Sequence, residues 1–419
     1  MIKEIKIENF KSIESLNLEL GRLNVFIGAN GSGKSNILEG IAFGSAAMEE
    51  KVDYEFLANR GIRIADYSSM KSKFDSNQLN NPIFIKWKNE ITSWSMLIQN
   101  DEKNHDSWKV NGSLEQEIKL VEKKSEKLLK KQFKDNSWIE DLKKSNNDVE
   151  DFYVKNFLSA FIDLIEHNGF EPTTMKIPEN IRPFFASQIE KNFKDNGAED
   201  FLNFFIFTPE NYFLRRFEEE GQIKPLGIRG EGLFSHIVKI FREKPDLFKK
   251  INEHLQLLDW FDGFEIPNDL MFTEKRIKIK DRFLEDGLQY FDQRSANEGF
   301  LYLLFYLTLF ISDETPKFFA IDNIDNAMNP KMGSELIKIL AKLAKEHDKQ
   351  TILTTHNPSV LDGLDLIDDD QRLFVIYRNA DGHTKARRIT SKEVPNGVES
   401  VRLSEAFIRG YIGGLPKNF

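Results

Sequence analysis

The chain has 419 residues, 40% of them hydrophobic and 30% charged, with a formal net charge of −9. That length exceeds what one core ordinarily organises, so a soluble chain with one interrupted domain, or with two domains, is expected. The acidic balance excludes a uniformly basic nucleic-acid surface, though not a local basic patch, and the lack of cysteine excludes disulfides, thiolate metal sites and cysteine nucleophiles.

In chain order, Met1 to Ile7 alternates apolar and charged residues, which predicts a strand and not a signal peptide. Leu16, Leu18 and Leu20 predict a second strand, and Leu23–Ile27 a short apolar one ending at Gly28. Asn36 to Ala47 has helical spacing through Ile37, Leu38 and Ile41. Pro82–Trp87 and Ile91–Ile98 read as two strands of a sheet. Glu115 to Lys134, rich in Lys and Glu, predicts a long solvated helix. Its stripe of Ile118, Val121, Leu128 and Leu129 is too broken for a coiled coil, and an exposed helix of an insertion is favoured over a DNA-gripping arm.

Residues 151–260 read as mostly helical, with loops near Gly169–Thr174 and Gly221–Gly232, and 271–279 with 283–290 as a hairpin. Beyond them a helix is expected over Gly299–Ser312, a buried strand over Phe318–Ile321, an amphipathic helix over Gly333–His347 and a strand over Thr351–Thr354. Leu373–Arg378 and Thr384–Ile389 should pair across Asp381-Gly382. Gly299 to Ile311 is the most apolar run and falls short of the roughly 20 residues that cross a bilayer, so a cytoplasmic location is expected. The 36 Phe residues predict a Phe-rich core. No internal repeat or low-complexity tract is present. Recognisable chemistry sits at the two ends, which divides the chain into an N-terminal lobe over 1–100, a helical insertion over 101–270 and a C-terminal lobe over 271–419.

Gly28-Ala29-Asn30-Gly31-Ser32-Gly33-Lys34-Ser35 fits G-x-x-x-x-G-K-[ST] between a strand and a helix. Glycines let the backbone wrap an anion, the helix N-terminus supplies free N–H groups, Lys34 reaches the β- and γ-phosphates and Ser35 can bind Mg²⁺. Asn30, Gly31, Ser32, Gly33, Lys34 and Ser35 are therefore the candidate phosphate-binding residues. Phe318–Asp322 is an apolar strand that delivers a carboxylate, so Asp322 joins Ser35 as a candidate metal ligand. A second apolar strand leads to His356, placed to meet the γ-phosphate or a water.

This order resembles the ABC-type ATPases of the RecF, SMC and OLD group, including bacterial AAA-family ATPases of anti-phage defence. Glu8-Asn9-Phe10-Lys11-Ser12 looks like their opening turn, Asp322 to Pro330 like their Walker B and D-loop, His356 like their switch histidine, and Leu403–Pro416, with Arg409-Gly410 and Gly413-Gly414-Leu415-Pro416, like a C-terminal stretch of bacterial members. The likeness covers roughly the first 45 and last 130 residues. It implies an α/β P-loop NTPase head with an N-terminal antiparallel sheet and a helical insertion, using ATP and Mg²⁺. It also implies two heads sandwiching two nucleotides, with a signature segment of one aimed at the γ-phosphate of the other. Ser295-Ala296-Asn297-Glu298-Gly299 occupies that place, which makes Ser295, Asn297 and Gly299 candidate nucleotide contacts; an ordinary helix cap is the alternative. Gln78 is a candidate for the Q-loop ligand.

The pattern breaks after Asp322. Relatives carry Glu there, whereas this chain has Asn323, which orients a water but cannot take its proton. Asp325 is the candidate replacement, so Asn323, Asp325 and His356 form the catalytic set, with slow hydrolysis expected. About 60 residues follow His356, too few for the metal domain of OLD nucleases, and the acidic run Asp365–Asp370 reads as a solvated loop. The resemblance implies a homodimer or higher oligomer that senses or regulates, or scaffolds, a separately encoded nuclease or toxin. A RecF/SMC-like DNA-repair ATPase that clamps DNA is the alternative.

Overall fold

The computed structural model describes residues 1–63, 67–74, 81–90, 92–100, 108–113, 197–216, 225–267, 276–285, 288, 290–391 and 401–415, with a few single positions between 116 and 191. The N-terminal alternation forms a hairpin, β1 (Glu4–Phe10) and β2 (Ile13–Glu19), burying Ile5, Ile7, Leu16 and Leu18 on one face. Asn9 and Lys11 adopt φ of 57° and 48° at the turn. The fully buried β3 (Leu23–Ile27) runs through the glycine loop into α1 (Lys34–Met48), followed by α2 (Tyr54–Asn59). Strands β4 (Ile83–Lys88), β5 (Ser93–Asn100) and β6 (Trp108–Asn111) complete a five-stranded antiparallel sheet in the order β2-β1-β4-β5-β6. Its period-two pattern leaves one face for a core and one for solvent.

Next come α3 (Glu199–Leu202), β7 (Ile206–Phe207), α4 (Asn211–Arg216), α5 (Leu233–Glu243) and α6 (Pro245–Leu255). Strands β8 (Phe261–Glu265), β9 (Lys278–Asp281) and β10 (Tyr290–Asp292) form a small antiparallel sheet. Of the hairpin expected over 271–279 and 283–290, residues 271–275, 286, 287 and 289 lie outside the described residues; in the described part β9 pairs β10 on one side and β8 on the other.

The last part contributes α7 (Glu298–Ile311), β11 (Phe318–Ile321), α8 (Pro330–Glu346), β12 (Gln350–Thr355), β13 (Gln371–Arg378), β14 (Thr384–Ile389) and α9 (Leu403–Ile408). The main sheet runs β14-β13-β3-β12-β11-β7, parallel apart from β14. It is covered on both faces, as parallel sheets require. Phe26, Phe318 and Ile352 face the core shared with the antiparallel sheet and α1, while Val25, Ile27, Phe319 and Leu353 face the core under α5 to α8. α7 is buried from Gly299 to Ile311, as expected of a helix apolar all round. Phe319 meets Phe207 and Phe310 edge-on at centroid distances of 5.8 and 5.2 Å, so phenylalanines do fill the core.

The range 101–270 is not a single insertion. β6 hydrogen-bonds to β5 in the first sheet, and β7 pairs β11 in the main sheet with Ala320 opposite Ile206. α5 and α6 supply Leu233, Ile237, Ile251 and Leu255 to the core beneath α7. Nearly all of Glu115–Lys134, together with Gly169–Thr174 and Gln78, lies outside the described residues. Among the described residues no helix is long and apolar enough to cross a membrane.

Candidate functional site

The glycine loop joins the C-terminal end of β3 to α1. Gly31 and Gly33 have φ of 73° and 104°, conformations that side-chain-bearing residues resist. Gly33 also has no room: an added Cβ would stand 2.0 Å from Thr384 Oγ1. The loop is held from outside. Arg378 Nε donates to Gly31 O at 2.7 Å, Thr384 Oγ1 donates to Ser32 O at 3.0 Å, and Asn36 Nδ2 donates to Ser12 Oγ at 2.6 Å, with Ser12 and Thr384 sharing a 2.7 Å hydrogen bond. The Ser12 turn and the β13–β14 hairpin thereby clamp the loop from opposite ends of the sequence. No side chain caps α1, which leaves its opening N–H groups to an anion.

Lys34 is buried and donates Nζ to Gly28 O at 2.8 Å and Ala29 O at 3.2 Å, with His356 Nδ1 at 3.4 Å. Burial lowers its pKa to about 8 against the pull of Asp322 and Asp325. Ser35 Oγ donates to Asp322 Oδ2 at 2.9 Å, and the other oxygen of Asp322 accepts from Thr354 Oγ1. Asn323 sits at φ 58° and donates its backbone N–H to Thr354 Oγ1 at 2.9 Å. Asp325 lies behind His356: its Oδ1 accepts from Thr355 Oγ1 at 2.7 Å and from His356 N at 3.4 Å. Burial, then the neighbouring Lys34 charge, lowers the His356 pKa and keeps the imidazole neutral near pH 7.

These groups enclose a cleft of about 350 Å³ lined by Asn30 to Asn36, Arg63, Asp322, Asn323, His356 and Arg378. Asp325 is not among the lining residues. Arg63 and Arg378 were not anticipated from sequence. Arg63 Nε donates at 2.7 Å to Glu39, a buried carboxylate on α1 that also binds Lys11. Glu39 was the available signal, a charged residue on the packed side of an apolar helix.

Ser295, Asn297 and Gly299 are not brought to this cleft. Asn297 caps α7 by accepting from Phe300 N at 2.8 Å. Gly299 packs beside Ala327 and Met332, so the segment adjoins the stretch that follows Asp322 in its own chain.

The cleft fits a magnesium-bound nucleoside triphosphate. Lys34 is a buried ammonium whose described hydrogen-bond partners are two carbonyls and the His356 ring, with the Asp322 and Asp325 carboxylates farther away, Ser35 and Asp322 present two adjacent oxygens of the kind Mg²⁺ takes, and Gly31 faces open space.

The AAA_21 family, described as AAA domain, putative AbiEii toxin, Type IV TA system, matches residues 23–362. No curated protein matches the chain. Solved structures similar to it include the Smc head domain with an extended coiled coil bound to the C-terminal domain of ScpA from Pyrococcus furiosus, at 14% identity and TM-score 0.46, covering 93% of this chain and 96% of that one. The SMC head domain from Thermotoga maritima is similar at 13% identity and TM-score 0.42, covering 93% and 98%. The family match spans more than half of the chain and contains the glycine loop, Asp322 and His356, and the chain belongs to this AAA-domain family.

Proposed function

We propose that the chain binds Mg–ATP in this cleft, hydrolyses it slowly, pairs with a second copy across the nucleotide, and so senses for, regulates or scaffolds a separately encoded effector, a nuclease or toxin, in anti-phage defence. The observation that carries the reading is the convergence of Lys34, Ser35, Asp322 and His356 on one cleft with Asn323 where a general base would stand. Lys34 and the α1 N-terminus bind the β- and γ-phosphates, Ser35 and Asp322 hold the cation, and neutral His356 faces the terminal phosphate. The bound nucleotide supplies the phosphoryl group to be transferred, and Mg²⁺ neutralises its charge. Asn323 orients a water without accepting its proton, and Asp325, which accepts from Thr355 Oγ1, is the carboxylate assigned to take it. Asn297 and the α7 N-terminus serve the nucleotide of the partner head. The family's description, which names a toxin and a type IV TA system, supports an effector-linked role.

The test combines nucleotide titration, light scattering with and without Mg–ATP, and affinity capture with the product of the adjacent gene. Expected are saturable ATP binding, doubling of mass in ATP and capture of the neighbour. Failure to bind ATP overturns the reading at its base. ATP-dependent, salt-sensitive binding of duplex DNA without capture replaces the effector role with a DNA clamp.

A further inference from the structure

Tyr306 sits in the middle of α7, fully buried, and its hydroxyl has no hydrogen-bond partner. Buried polar side chains are almost always bonded, because leaving one unpaired is destabilising. A phenylalanine of the same shape would fill the space without that penalty, so packing does not account for the oxygen. Gly299, Tyr302 and Tyr306 follow one another at helical spacing, which puts them on one face of α7. Gly299 packs beside Ala327 O and Met332, and the Tyr302 and Tyr306 rings stand 6.2 Å apart. Helical side chains lean toward the N-terminus, so Tyr306 leans along this face toward Gly299 and the stretch after Asp322. Ile324 and Met328 of that stretch are buried in the same core as Tyr306. Burial first, then Tyr302 and the Asp325 charge, push the Tyr306 pKa well above its ordinary value, which keeps the phenol protonated within electrostatic reach of Asp325.

Asp325 has an oxygen to offer such a donor. Its Oδ1 accepts from Thr355 Oγ1 at 2.7 Å and from His356 N at 3.4 Å, while among the described residues nothing donates to its Oδ2. Neither of the two bonds is exclusive. The one from His356 is long, and Thr355 Oγ1 has a second acceptor, Asn357 O, at 3.3 Å. Asn323 and Ala327 flank Asp325 at φ of 58° and 59°, left-handed conformations that side-chain-bearing residues resist. His356 is the residue that faces the terminal phosphate in the reading above, so a nucleotide that draws on His356 loosens what holds Asp325.

We propose that Tyr306 is a positioning residue for Asp325: with nucleotide bound, Asp325 turns Oδ2 to the Tyr306 hydroxyl, and Thr355 turns its own hydroxyl to Asn357 O. The proposal rests on the reading that Asp325 takes the proton of the attacking water. The buried phenol then fixes the carboxylate by one oxygen and leaves Oδ1, released by Thr355, beside His356 to receive that proton. A bond missing from the free chain and made in the bound one favours the bound state alone, which is what a ligand-driven change requires. It also ties the state of the cleft to α7, the helix that Asn297 caps.

Tyr306→Phe keeps the ring and removes only the oxygen. It is compared with the parent, with Asp325→Ala and with the double variant by thermal melting with and without Mg–ATP, and by steady-state phosphate release. Without nucleotide, Tyr306→Phe should melt at or above the parent, since no bond is lost. With Mg–ATP its melting temperature should rise about 2 °C less than the parent's. Phosphate release should lose about tenfold in kcat with KM unchanged. The two substitutions should be non-additive in Mg–ATP and additive without it. An equal drop in melting temperature with and without nucleotide would show a bond already made in the free chain and overturn the proposal. Additivity in both conditions, or an unchanged kcat, overturns it as well. If Asp325→Ala releases phosphate at the parent rate, the base assignment fails and the proposal with it; if only Tyr306→Phe does, the base assignment stands and the proposal alone falls. A parent chain that Mg–ATP does not stabilise removes both.

Discussion

Ser35 and Asp322 are 287 residues apart and share a hydrogen bond of 2.9 Å. Ser35 lies in the first turn of α1 and Asp322 directly follows β11, so the bond joins the phosphate loop to the carboxylate strand with no intermediate side chain. A cation that takes both oxygens has its protein ligands adjacent before it arrives. Removing one should cost metal dependence more than fold. Nucleotide affinity of the parent chain is expected to fall sharply when EDTA strips Mg²⁺, and that of Asp322→Asn to be weak in both conditions. Equal sensitivity to EDTA in both chains would show that the metal sits elsewhere.

The depressed pKa of Lys34 makes a pH prediction. Burial holds it to about 8 in the free chain, and a bound triphosphate raises it by supplying opposite charge. Below pH 8 the ammonium is charged in both states and affinity is independent of pH. Above pH 8 binding must take up a proton, so affinity falls by about tenfold per unit until the bound-state pKa is reached. Titration calorimetry in buffers of different ionisation enthalpy measures the proton uptake directly. A flat profile from pH 7 to 10 would remove Lys34 from contact with the phosphates.

Turnover should respond to the residue after Asp322. Asn323→Glu provides a carboxylate at that place and is expected to raise steady-state phosphate release about 100-fold, the usual scale of a general base. The backbone there has φ 58°, which Glu tolerates less well than Asn, at a cost of about 1 kcal/mol. Asn323→Asp, which accepts that conformation more readily, separates chemistry from strain. Asp325→Asn should abolish the residual rate of the parent chain, and unchanged release would free Asp325 of the role of base.

Much of this site was readable in the sequence because its pieces are local. The glycine loop is contiguous, and the apolar runs before Asp322 and His356 announce buried strands with their ends at one edge. What could not be read depends on register across the sheet. Arg378 reaches Gly31 O over a separation of 347 residues, and nothing near Arg378 distinguishes it from any arginine at a strand end. The Ser12–Thr384 bond spans 372 residues and exists only because β14 lies beside β2. β7 has two residues, too short for any periodicity, so nothing in the sequence separates residues 206–207 from the helical stretch around them or points to the main sheet. Asn297 illustrates a different limit. The residue type that could face a phosphate is also the one that caps helices; its side-chain oxygen accepts from Phe300 N, which leaves Nδ2 as the donor for the proposed contact across paired heads.

Away from the nucleotide, His236 predicts an acid limb of stability. It is buried against Ser312 Oγ at 2.8 Å, and burial lowers its pKa to about 4. The unfolded chain binds this proton below its ordinary pKa of about 6.5, and the folded chain does not until about 4. Stability is therefore full above pH 6.5 and is lost as pH falls toward 4, by on the order of 3 kcal/mol. Urea midpoints at pH 4.5 and 7 should differ in the parent chain by more than in His236→Gln. Identical slopes would show that this imidazole is not what acid attacks.

The place of β3 in the main sheet has a consequence for biosynthesis. β3 is made among the first thirty residues, yet both of its neighbours, β12 and β13, come from beyond residue 349. At about 10 residues per second its backbone edges wait on the order of half a minute for their partners. The ribosome must release nearly all of the polypeptide before a nucleotide has anywhere to sit, so a chain broken off early yields no half-working product, only an unpaired apolar strand for chaperones to shield.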